Sequence, residues 1–186
     1  MKKIILSLFL LVAISCITFG QNNSVELLPI ADSYVYSGDN IGNYGKDNKL
    51  RVLRTNRSTV LRHAFLRFDI SSISTSIPGK VYLKLYCNEV DDASAGLSLE
   101  VAETPADWNE EDIKWSNAPK PTKVVGKLDV NVQKNYIEID LTAYIKEAVT
   151  AGAKQISLRI SDPKSTGIKS EFGSKESKNP PMLVVQ

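Results

Sequence analysis

Cationic side chains crowd one short stretch of this chain. Lys or Arg stands at positions 46, 49, 51, 54, 57, 62 and 67, against the one acid Asp47. Arginine forks match a carboxylate with two hydrogen bonds and lysine adds point charge, so such a stretch suits an anionic ligand. Strand alternation sets Lys49 and Arg51 opposite Leu50 and Val52, and Phe65 and Arg67 opposite Ala64, Leu66 and Phe68. Further on, Tyr82, Lys84 and Tyr86 oppose Val81, Leu83, Leu85 and Cys87, and Arg159 opposes Ile156, Leu158 and Ile160. If these faces coincide, Lys49, Arg51, Phe65, Arg67, Tyr82, Lys84 and Tyr86 form one basic surface bearing aromatic rings, which Arg159 extends. Aromatic rings stack on the apolar face of a pyranose. The expected ligand is therefore an acidic polysaccharide; the plain alternative is a solvated cationic face with Phe65 buried by a second sheet.

Other chemistries find less support. Glycoside hydrolysis needs two carboxylates across a cleft, but most acids here fall in turns or in residues 89–112, a block with nine acids and no base. A polysaccharide lyase needs a base beside a neutralising group, and the one set available is His63, the only histidine, with Tyr82 or Tyr86. Cys87 alternates with core positions and reads as a buried thiol rather than a nucleophile. No His/Glu or Cys pair has metal-ligand spacing, which leaves a structural calcium held by Asp32 and Glu176 as the metal site to consider, against two ordinary surface acids. Trp108 and Trp115 invite a sugar-stacking reading, yet large aromatics in β-domains more often pack, and both are assigned to packing.

The elements that position these groups are short strands. Alternation and turn residues predict strands over 25–30, 32–36, 48–54, 61–70, 80–90, 97–101, 123–130, 135–140, 155–161, 169–173 and 182–185. One helix follows residue 140, with Asp140 as its cap, Leu141, Ile145 and Val149 on its apolar face and Gly152 as its stop. Many short strands, frequent turns and one small helix point to an all-β fold, a β-sandwich of jelly-roll type with one short helix.

At this point a family likeness emerges. Asp47-Asn48-Lys49-Leu50-Arg51 with Arg62-x-Ala64-x-Leu66-Arg67-Phe68-Asp69 resembles the DNRLRE-domain proteins, also classed as carbohydrate-binding module family 96. Ala31-Asp32-Ser33-Tyr34-Val35 is similar to that family's opening strand, the segment from Trp108 to Pro119 to its central element, and Phe172-Gly173-Ser174-Lys175-Glu176 with Pro180-Pro181-x-Leu183 to its closing signature. The resemblance implies a non-catalytic module, and ligation of alginate-type uronate polymers by the basic residues of the first two motifs.

Residues 1–20 read as a secretory signal peptide: Lys2 and Lys3 precede an apolar run at 4–12 that is too short to span a membrane. Cleavage after Gly20 is expected, and lipid attachment at Cys16 is the competing exit. Residues 21–186 then form a single domain. Of the 23 Lys and Arg residues, two lie in this leader, so the remaining 21 balance the 21 Asp and Glu. Overall charge thus selects no partner; its uneven distribution does. Export argues against nucleic acid, and the protein is expected to be secreted or at the cell surface. Separate polysaccharide-degrading enzymes are candidate partners. The alternatives are a structural or adhesive β-sandwich that binds protein and, behind it, a small lyase.

Overall fold

A computed structural model describes residues 24–57, 60–74 and 79–186. The expected leader, Cys16 included, lies outside the described residues. Eleven strands and one α-helix follow in order: β1 (Val25–Leu27), β2 (Ala31–Tyr36), β3 (Lys49–Arg54), β4 (Leu61–Asp69), β5 (Val81–Val90), β6 (Leu97–Glu103), β7 (Lys123–Val130), β8 (Asn135–Asp140), α1 (Thr142–Thr150), β9 (Gln155–Ser161), β10 (Ser170–Gly173) and β11 (Met182–Val185). The all-β sandwich expected from the sequence is the fold observed.

All strand pairs are antiparallel, and two layers form around two long strands. In the first, β8 runs along one edge of β5, while β11 and β10 share the other edge and carry β1 and β3 outside them. In the second, β2 and β9 flank β4, followed by β6 and β7. Strand β3 belongs to both layers. Its residues Lys49 to Val52 pair with β10, whereas Leu53 and Arg54 pair with Arg62 and Leu61 of β4.

Alternation decides what each strand buries. Along β5, Val81, Leu83, Leu85 and Cys87 point inward and Tyr82, Lys84 and Tyr86 outward. Between the layers these side chains meet Leu50, Val52, Phe172, Leu66, Phe68, Val101, Leu158 and Ile160 in one core. Burying each large aliphatic or aromatic chain there contributes about 1.5–3 kcal/mol. Leu141, Tyr144, Ile145 and Val149 bring α1 into the same core. Thr142 N–H donates to Asp140 Oδ1 at 2.9 Å, and Gly152, at φ 80°, ends the helix in a left-handed conformation that favours glycine. No helix among the described residues is long and apolar enough to cross a membrane.

A second, smaller core lies on the outer side of the β4 layer. Ala31, Val35 and Phe65 project there and are roofed by Trp108 and Ile113, with Trp115 and Ala118 at the margin. The roof is the long connection 104–122 between β6 and β7. It is pinned by Trp108 Nε1 donating to Ser157 Oγ at 2.8 Å and by Asn43 Nδ2 donating to the carbonyls of Glu110 and Ile113, both at 2.8 Å.

Candidate functional site

The eight residues expected to share one basic surface do not share one. Lys49, Arg51, Tyr82, Lys84 and Tyr86 lie on the outer side of the β5 layer, whereas Phe65, Arg67 and Arg159 lie on the outer side of the β4 layer, across the sandwich. Phe65 is 1% exposed beneath the 104–122 roof and offers no surface to a ligand. Arg67 is spent on the same roof: one terminal nitrogen donates to the carbonyls of Ala106 at 2.8 Å and Trp108 at 2.6 Å, and the guanidinium stands 5.2 Å from the Trp108 ring centre. Both residues point away from the main core, as alternation predicts, but an outward side chain meets solvent only where no further layer covers it.

On the β5 side, Lys49 and Arg51 stand two residues apart on β3 and converge on Glu171 of β10. Lys49 Nζ lies 2.7 Å from Glu171 Oε2, and Arg51 Nε lies 3.1 Å from Oε1. Burial works against the charged Glu171 carboxylate, yet the hydrogen bonds and charges of Lys49 and Arg51 hold its pKa below the usual value. Arg51 also donates to the Tyr34 hydroxyl and lies 3.6 Å from Asp47. Side chains with this many partners are fixed in position before a ligand arrives.

Lys84 is likewise paired, 3.3 Å from Glu138 of β8, and Tyr86 meets Tyr136 edge-on with ring centres 5.2 Å apart. Between Lys49 and that tyrosine pair lies Gly173, and the loop 174–180 packs directly on it. A Cβ at Gly173 would stand 2.2 Å from the Asn179 carbonyl oxygen, and the Tyr136 hydroxyl donates to the Pro180 carbonyl at 3.3 Å. The loop therefore divides the face into a β3 strip with Lys49 and Arg51 and a β5 strip with Tyr82, Lys84 and Tyr86. A cleft lined by Asn48, Lys49, Asn88 and residues 176–179 runs beside it.

Asp32 and Glu176, the expected calcium pair, do come together, joined by Glu110 from the roof; one carboxylate oxygen from each lies within 4.8 Å of the others. Hard carboxylate oxygens are the donors calcium uses, but a cation already stands there. Lys175 Nζ lies 3.2 Å from Glu110 Oε2 and is bonded to Glu176, while its backbone N–H donates to Asp32 Oδ2 at 2.6 Å. Burial pushes Asp32 up to about 7, with the neighbouring Glu176 and Glu110 charges adding to it and the Lys175 N–H and ammonium opposing.

The groups considered for catalysis are not assembled. Cys87 is buried, and burial raises its thiol to about 11, which keeps it protonated and inert. His63 projects from β4 on one side of the sandwich, and Tyr82 and Tyr86 from β5 on the other, so the set considered for a lyase is not assembled. Glu171 and Glu138, which neutralise the cations, carried no local signal, being 120 residues from Arg51 and 54 from Lys84.

An all-β sandwich with ordered polar and aromatic strips on its outer faces is an architecture that serves as a binding module. The chain belongs to carbohydrate-binding module family 96, whose family model matches residues 23–186. Comparison with curated proteins gives no match.

Proposed function

We propose that this chain is a secreted or cell-surface, non-catalytic module that binds an acidic, uronate-type polysaccharide along the β3 strip. The observation that carries this reading is the pair Lys49 and Arg51, held side by side by Glu171 and still partly open to solvent, in a chain of a carbohydrate-binding family. Glu171 takes one edge of the Arg51 fork and the Tyr34 hydroxyl another, which leaves N–H groups for a sugar carboxylate. Pre-positioning of both cations lowers the ordering cost of binding. Tyr82 and Tyr86 supply rings beyond the 174–180 loop. Such a module would hold polymer for separate polysaccharide-degrading enzymes.

The second reading, a structural or adhesive domain that binds protein, is favoured by a different observation. Glu171, Asp47 and Glu138 between them balance Lys49, Arg51 and Lys84, so the face carries little net charge.

Titration of the domain with alginate, pectate and a neutral glucan, at low and high salt, separates the two. Salt-sensitive binding to a uronate polymer that falls roughly tenfold in Arg51→Ala, with folding retained, supports the module on β3. Absence of binding to all three gives the adhesive reading first place, and binding untouched by Arg51→Ala removes the β3 site.

A further inference from the structure

The cations of the β3 and β5 strips lie within 3.3 Å of acids; on the opposite side of the sandwich Arg159 meets its acid, Glu100, only at 3.7 Å. There the 104–122 roof stops short, and two adjoining clefts of about 210 and 380 Å³ open at its margin, sharing His63, Trp115 and Arg159 in their walls. Together they reach the size of small-ligand sites, about 300–1,000 Å³.

Arg159 is the unexplained group in these clefts. Its side chain is only 17% exposed, yet it makes no hydrogen bond with the described residues, and its Nε is buried without a partner. The nearest acid, Glu100, is 3.7 Å from a terminal nitrogen, beyond hydrogen-bond range. A desolvated guanidinium with unmet N–H groups is costly and calls for an acceptor. Neighbouring charges do not supply one. Asp162 already accepts three hydrogen bonds, from the backbone N–H groups of Lys164 and Thr166 and from the Thr166 hydroxyl, all within 2.8 Å. Arg54 adds a second positive charge while donating only to the Asp162 and Pro163 carbonyls. Lys120, exposed on the rim, adds a third.

Beside this charge stands a ring. Trp115 is half-buried, lines both clefts, and is braced by the His63 imidazole with ring centres 5.1 Å apart. A fixed aromatic next to an unsatisfied arginine fork is the donor set that recognises a sugar bearing an oxyanion, the ring taking the pyranose face and the fork its charged group.

We propose that the Trp115–Arg159 cleft is a second saccharide subsite, separate from the β3 strip, for a sugar carrying a carboxylate or an ester sulfate. The site gives the module two binding faces on opposite sides of the sandwich.

Tryptophan emission reads this cleft. Trp108, 7% exposed and donating its N–H to Ser157, is sealed under the roof, so ligand in the cleft alters Trp115. Oligouronates, sulfated oligosaccharides and neutral oligosaccharides of equal length are titrated into the protein and into Arg159→Lys, Trp115→Phe, Lys120→Ala and Arg51→Ala variants, with circular dichroism as the folding control. The expected result is a saturable emission change with one or both acidic ligands and none with the neutral one. Arg159→Lys, which keeps the charge and loses the fork, weakens it roughly tenfold, and the exposed Lys120→Ala weakens it roughly twofold. Trp115→Phe abolishes the signal, and Arg51→Ala leaves it intact. Which acidic ligand responds distinguishes carboxylate from sulfate. An unchanged emission in the parent protein, or equal affinity in folded Arg159→Lys and Lys120→Ala, overturns the proposal, as does loss of the signal in Arg51→Ala. If the emission response persists in the parent protein while Arg51→Ala leaves total uronate binding unchanged, this subsite stands and the β3 site is removed.

Discussion

His63 is the chain's only histidine, and its surroundings make a measurable claim about acid stability. Burial first, then the Arg159 and Arg54 charges, pull its pKa from 6.5 down to about 4. The folded protein thus resists a proton that the unfolded chain accepts below pH 6.5, so stability falls as pH drops through that window and is unaffected above it. A depression of this size corresponds to about 3 kcal/mol once pH is below both values, most of it already lost at pH 4.5. Asp32 acts in the opposite sense: raised to about 7, it takes a proton first in the folded state and gains stability as pH falls below 7. The two contributions partly cancel in the parent protein, so the comparison that isolates His63 is with His63→Phe, which keeps a ring against Trp115 and cannot titrate. Urea unfolding at pH 7.5 and 4.5 should show the parent losing roughly 2–3 kcal/mol more than the variant over that interval. Proton NMR of the single imidazole reads the same quantity directly, with a midpoint near 4. A midpoint at or above 6, or parallel pH dependences in the two proteins, refutes the reasoning.

Two further substitutions test the outer layers. Phe65→Ala empties the centre of the small core beneath the roof and should cost about 3–5 kcal/mol in chemical denaturation; a cost under about 1 kcal/mol would show that the roof does not seal it. Lys175→Met removes the ammonium that stands among Asp32, Glu110 and Glu176, and should lower stability by about 1–3 kcal/mol, with millimolar calcium restoring much of it in thermal melts; no loss in chelator means the ammonium does not hold the cluster together.

The layout of strands was legible because alternation is local. Residues 123–130, 135–140, 155–161 and 182–185 are strands as their patterns predict, and the helix ends at Gly152 as its sequence predicts. What alternation cannot convey is which strands share a layer, or what lies above an outward side chain. Arg51 and Arg67 have the same parity and similar neighbours, yet β3 turns from one sheet to the other between Val52 and Leu53 and separates them. Phe65 is outward by parity and buried by a connection that begins 39 residues later, a fact of tertiary packing. Trp108 and Trp115 resemble each other in sequence and part company in space, one under the roof and one at its margin. Of the acids that neutralise Lys49, Arg51 and Lys84, only Asp47 lies within the basic motif; Glu171 and Glu138 arrive from distant strands that nothing near the motif announces.

The passage of β3 from one sheet to the other has a mechanical consequence. Its ladder to β10 and its ladder to β4 lie in one continuous strand, so tension drawn along that strand is delivered to both sheets together. Antiparallel ladders pulled along their length yield only when many hydrogen bonds fail at once, whereas a strand peeled from an edge loses them singly. A polymer held at Lys49 and Arg51 and pulled along β3 would therefore load both sheets at once.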